Sequence, residues 1–180
     1  MKQKTSKYKE VTMSQNLKFF LAVLIMLLLT NLSEALLIEL PLPELVKESD
    51  IIIRGEVVKT ESRWGYLEYN ANSRIIFTDV TIAVTDYLKG ASDKSEVVIE
   101  TEGGEIGEIG LMVEDMPKFE TGEDVVLFLS QENNQGMRKV ANLRNGKYSI
   151  SEGTVLERDE PITRFERTIK QFVKDQKEEK

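Results

Sequence analysis

The chain has 180 residues, 24 of them basic and 31 acidic, with no His and no Cys. Without imidazole or thiol, the common zinc sites, thiolate nucleophiles and His-based triads lack the side chains that build them, and disulfides and a lipid-bearing Cys fall with them. Residues 1–35 carry five Lys against Glu10 and Glu34, which leaves 19 basic and 29 acidic residues, a net charge of −10, in the remainder. Such a surface repels nucleic-acid phosphates and anionic lipid alike.

Lys2, Lys4, Lys7, Lys9 and Lys18 precede an apolar run from Phe19 to Leu29, and Ser33 and Ala35 supply small residues after it. A cationic flank, an apolar centre and a small-residue cut are the parts of a secretory signal. Eleven apolar residues are short for a hydrocarbon core of ~30 Å. Cleavage after Ala35 is expected, leaving residues 36–180 as one domain. Met13 offers a second start, and Leu36-Leu37-Ile38 extends the apolar character enough to keep an uncleaved anchor as the rival. A buried core helix is disfavoured because no polar face interrupts the run.

In the body, Pro41 to Asp50 predicts a short helix, with Pro43 in its first turn and Leu45 and Val46 facing the core. Ile51 to Lys59 is β-branched, and Gly55 within it marks a bulge. Ile75 to Leu88 alternates with period two, Ile76, Thr78, Val80, Ile82 and Val84 lining one face. Val97–Ile99 reads as a further strand, and Val125–Leu129, apolar throughout, as a central one. Asn133–Gly136 is a turn leading to a strand over Arg138–Leu143. Asn145-Gly146 predicts a type I′ hairpin before Lys147–Ile150. Ser151-Glu152-Gly153 then turns into Thr154–Glu157. Ile162, Phe165, Ile169, Phe172 and Val173 recur at helical spacing and predict an amphipathic helix over 162–177, packed on one end of the sheet. Short strands, tight turns and one flanking helix predict a mostly β fold, a small barrel or sandwich.

Three segments stand out as candidate sites. Thr101 to Gly110 holds four Gly and three Glu (Glu102, Glu105, Glu108), which permits close backbone approach. It reads either as a loop for a partner or for Ca²⁺, with Glu114 and Asp115 as further ligands, or as a solvated hairpin. No Lys-Ser/Thr follows, and the negative charge repels phosphate, so it is no phosphate loop. Trp64, Tyr66 and Tyr69 fall in the polar stretch Glu61–Ser73, read as a loop whose aromatics either anchor a partner or fold back as a lid. Phe119 is expected to plug the barrel, Gly122 to turn the chain, and Glu123 and Asp124 to be solvated.

The order of motifs, from Leu45–Gly55 ("LVKESDIIIRG") through a long strand ending Leu88-Lys89-Gly90, then Gly103-Gly104 and Phe119–Phe128 ("FETGEDVVLF"), resembles a pattern in exported bacterial and archaeal proteins of unassigned function. Over residues 45–130 it is similar to the netrin-type module of tissue inhibitors of metalloproteinases. That resemblance implies an OB-like β-barrel in an extracytoplasmic setting. Those inhibitors ligate the protease zinc with an N-terminal Cys held by disulfides. This chain has neither, so the inhibitory mechanism does not carry over.

The expectation is an exported, acidic, OB-like or netrin-like β-barrel without enzymatic activity or cofactor. It would bind an extracytoplasmic protein or carbohydrate through loops 61–73 and 102–115, and neither nucleic acid nor, once the signal is removed, membrane. A Ca²⁺-dependent adhesion or structural domain and a hydrolase using paired carboxylates are the alternatives.

Overall fold

The computed structural model describes residues 40–67 and 70–178. Residues 1–35, read above as a signal, and Tyr69 lie outside the described residues; among the described residues no helix is long and apolar enough to cross a membrane. Helix α1 (Leu42–Glu48) carries Pro43 in its first turn and buries Leu42, Leu45 and Val46. Its free C-terminal carbonyls are capped in trans: Lys89 Nζ donates to the carbonyls of Val46 and Ser49, each at 2.6 Å.

The strands are β1 (Ile51–Leu67), β2 (Asn70–Lys89), β3 (Glu96–Glu102), β4 (Gly104–Ile106), β5 (Ile109–Leu111), β6 (Asp124–Leu129), β7 (Met137–Arg138), β8 (Lys147–Ser151), β9 (Thr154–Val155) and β10 (Glu160–Pro161). Helix α2 (Ile162–Glu178) closes the described chain. The protein is therefore mostly β with a short helix and a C-terminal helix. Eight strands form one sheet in the order β10-β9-β8-β6-β1-β2-β3-β7, and β4 and β5 form a separate hairpin.

The small barrel expected from sequence is not closed by this pairing, since the order has two ends. β7 is only two residues long and runs parallel to β3. Just beyond it, Leu129 and Val140 form an isolated bridge to β6, flanked by Ser130 N–H to Lys139 O at 2.9 Å and Ala141 N–H to Phe128 O at 2.8 Å. A two-residue strand and one bridge are too little to make a continuous ladder.

Alternation in β1 and β6 builds two cores. Ile51, Ile53, Val125, Leu127 and Leu129 point to the inner face with Val57, Val80, Ile82, Val97, Ile99 and Val140. Ile52, Val126 and Phe128 point outward, where α1 and α2 cover them with Leu45, Val46, Ile162, Phe165 and Ile169. Cover on both faces is why Val125–Leu129 is apolar without alternation. Helix α2 thus packs on the sheet's outer face, not on its end as expected. Phe165 meets Tyr148 at 4.7 Å between ring centroids, and Tyr148 meets Phe128 at 5.6 Å. Arg54 fastens the helix, its Nη1 donating to Glu166 at 3.1 Å and its Nη2 to Asp124 at 2.8 Å.

Two further expectations change. Asn145-Gly146 makes no hairpin: Leu143–Gly146 is a 3₁₀ turn, and the left-handed residues are Asn142 and Leu143. Gly146 is needed for space, because a Cβ there would lie 2.0 Å from the Ala141 carbonyl oxygen. The two consecutive positive φ angles of a type I′ turn occur instead at Glu152 (50°) and Gly153 (76°), between β8 and β9. Glu61–Leu67 and Asn70–Ser73, read as loop, are strand; β1 and β2 run on as a two-stranded ribbon to the pair Leu67–Asn70. Cross-strand polar pairs hold that ribbon where apolar alternation is weak.

Candidate functional site

The ribbon and the glycine-rich segment meet. After β3 the chain turns at Gly103 (φ 101°) and Gly104 (φ 133°), conformations that favour glycine. Gly103 N–H donates to the Ile76 carbonyl at 2.8 Å. Thr78 Oγ1 donates to the Gly103 carbonyl at 2.7 Å and lies 3.0 Å from Ser62 Oγ, which also accepts from Glu105 N–H at 3.3 Å. A Cβ at Gly104 would stand 2.2 Å from Thr78 Oγ1 and 2.5 Å from Ser62 Oγ. The double glycine therefore lets the β4–β5 hairpin lie directly on the ribbon.

Between that hairpin, the middle of β2 at Thr78 and Val80, the end of β3 and the segment leading to Glu120 lies a cleft of about 590 Å³. Its apolar wall is Val80, Leu111, Met112, Val113, Met116 and Phe119. Glu102, Glu105 and Glu120 are among its lining residues, with Lys118 the basic one among them. Thr101 also lines it, 9% exposed. The Thr101 hydroxyl is shut off from solvent and has no hydrogen-bond partner among the described residues. Phe119 packs against the inner core, with Lys147 Nζ 5.2 Å from its ring centre.

The sheet beneath is held by charge. Arg63 donates to Asp79 at 2.7 Å and also to Glu100. The Asp79 hydrogen bond, with Glu100 adding to it, raises the guanidinium above its ordinary pKa despite partial burial. At another edge of the sheet, Lys94 bridges both oxygens of Glu132 at 2.8 Å, and Arg138 reaches Asp50 at 2.6 Å. These ion pairs link the β2–β3 turn, the β6–β7 turn and the start of β1.

Of the residues singled out from sequence, Trp64 is 38% and Tyr66 61% exposed, both on the ribbon. Arg74 lies over the Trp64 ring at 4.8 Å. Glu102 and Glu105 reach the cleft; Glu108 is exposed in the hairpin turn and does not line it. Glu114 is exposed, while Asp115 pairs with Arg144 at 3.3 Å. The structure does not bring Glu102, Glu105, Glu108 and Asp115 together: among the described residues no three carboxylates gather in a metal-holding group. Glu123 and Asp124, expected to be solvated, are engaged. Glu123 accepts from Lys147 and Ser149, and Asp124 from Arg54.

Sequence reasoning missed Thr78 and Met116 as parts of the site, and gave Ser62 and Thr101, which fall within the segments it singled out, no role of their own. Each is an ordinary strand or loop residue, and only the paired glycines after a strand hint that two backbones meet there. The chain matches no protein-family model and no curated protein.

Proposed function

We propose that this protein is an exported, non-enzymatic interaction module that binds an extracytoplasmic protein through the ribbon and hairpin end of its sheet. The observation that carries the proposal is the meeting of these two elements, which expose Trp64, Tyr66, Ile109 and Met112 on one pair of contacting segments. Isolated exposed apolar residues are ordinary, but large ones on elements fastened together are what partner surfaces use. A protein is favoured over a carbohydrate because β1 offers a bare edge. Beyond Val57, which pairs with the 122–123 segment, nothing among the described residues pairs with β1 on the side away from β2. Unpaired strand edges recruit extended peptide segments through the main chain.

The OB-like, netrin-like reading belongs to the same proposal. It is supported by the order β6-β1-β2-β3-β7, five strands whose last runs parallel to β3 and touches β6 at Leu129–Val140. A five-stranded, partly open barrel is the OB pattern. Export rests on the cationic and apolar character of residues 1–35.

The test is capture and crosslinking of partners from an envelope extract, comparing the chain with Trp64→Ala/Tyr66→Ala. Both aromatics are partly exposed, so the variant should melt close to the parent while losing the crosslinked partner. Equal recovery by both proteins would sink the proposal.

A further inference from the structure

We infer that the cleft between the β2–β3 inner face and the β4–β5 hairpin binds a small apolar compound, neutral or cationic, whose hydrogen-bonding group is received by Thr101. The inference stands on the cleft and does not need the ribbon to bind protein. At about 590 Å³ the cleft falls within the ~300–1,000 Å³ range of small-molecule sites. Its body is apolar, and two of its wall residues, Met112 and Met116, are flexible thioethers that mould to irregular ligands. Met112 is 78% exposed, a large apolar side chain left at the cleft with no cover.

Charge selects the ligand. Three acidic residues, Glu102, Glu105 and Glu120, line the cleft against one basic residue, Lys118. An anion entering a half-enclosed apolar site beside them is repelled, whereas a neutral or cationic compound is not. Thr101 supplies the polar contact. Its hydroxyl has no partner among the described residues, and a buried hydroxyl without a hydrogen bond is unfavourable. A turn of the side chain about χ1, part of this inference, brings the hydroxyl, buried where it stands, to the cleft that Thr101 lines. A ligand group there satisfies it.

The test uses N-phenyl-naphthylamine, a neutral aromatic with one N–H donor whose emission rises in apolar surroundings. It is compared with anilinonaphthalenesulfonate, the same skeleton bearing a sulfonate. The full chain should bind the neutral probe saturably, one molecule per chain, and the sulfonate more weakly. Thr101→Val keeps the shape but removes the hydroxyl; it should weaken the neutral probe about five-fold, the value of one hydrogen bond, while the melting temperature holds or rises. Gly110→Phe should abolish binding without unfolding. A Cβ at Gly110, a residue of the cleft lining, meets nothing closer than Glu105 Cγ at 3.6 Å, so the backbone there tolerates a side chain. Non-saturable binding, or binding untouched by both substitutions, overturns the site. Unchanged affinity in Thr101→Val alone overturns the role of Thr101, and tighter binding of the sulfonate overturns the charge selection.

Discussion

Replacing Gly104 by Ala tests the contact on which the cleft depends. An L residue at φ 133° is strained by ~1–3 kcal/mol. The added Cβ, 2.2 Å from Thr78 Oγ1 and 2.5 Å from Ser62 Oγ, then forces both hydroxyls aside. That breaks the 2.7 Å bond from Thr78 to the Gly103 carbonyl, worth ~1 kcal/mol. The total is about 2–4 kcal/mol. Gly107, in the turn of the same hairpin, is the control. Its φ is 62° and nothing lies within 4 Å of a Cβ, so Ala there costs only the left-handed backbone, about 1 kcal/mol. Urea unfolding followed by circular dichroism and by emission of Trp64, the one tryptophan of the chain, reads both. With a slope of roughly 2 kcal/mol per molar, Gly104→Ala should lower the midpoint by about 1–2 M at unchanged slope. Adding Ser62→Ala and Thr78→Ala removes both clashing atoms and should leave Gly104→Ala costing little more than its backbone strain. Equal midpoints for Gly104→Ala and Gly107→Ala would refute the docking of hairpin on ribbon.

Phe165→Ala should destabilise by about 3–5 kcal/mol, since the ring is fully buried and packs on Tyr148; a loss below about 1 kcal/mol would mean α2 is not seated on the sheet. The half-buried Phe172, only packed against the same core, should cost clearly less on truncation in the same melt. Glu132 is held below its ordinary pKa, chiefly by the Lys94 hydrogen bond and also by Arg138. A carboxyl depressed in the folded state stabilises above its unfolded value of about 4.3 and loses that contribution as pH falls through the folded one. Glu132→Gln should therefore melt below the parent at neutral pH and converge with it in acid, and a gap that persists in acid would contradict the ion-pair origin.

Much of the secondary structure could be read along the chain because its signals are local. Period-two alternation marked β2, the unbroken apolar run marked β6, and helical spacing marked α2 from Ile162 onward. Local signals failed where neighbours distant in sequence decide. Glu61–Ser73 looks like loop because its side chains are polar, yet β1 and β2 pair through it with Ser62 opposite Thr78 and Trp64 opposite Ile76. Asn145-Gly146 carries a hairpin signature, but the Ala141 carbonyl crowds Gly146 and the chain turns elsewhere.

By itself the sequence determined which chemistries have no side chains here, where the β-branched and amphipathic segments lie, and that their apolar faces must be buried. Only the tertiary structure decided that the sheet stays open, that the Gly103-Gly104 segment docks on the ribbon, and that Thr78, Thr101 and Phe119 share a cleft with Met116. The reason is physical. Propensity and periodicity act over a few bonds, whereas a cleft is made by backbones that approach each other from positions 62, 78 and 104, and beyond the paired glycines nothing along the chain records that meeting.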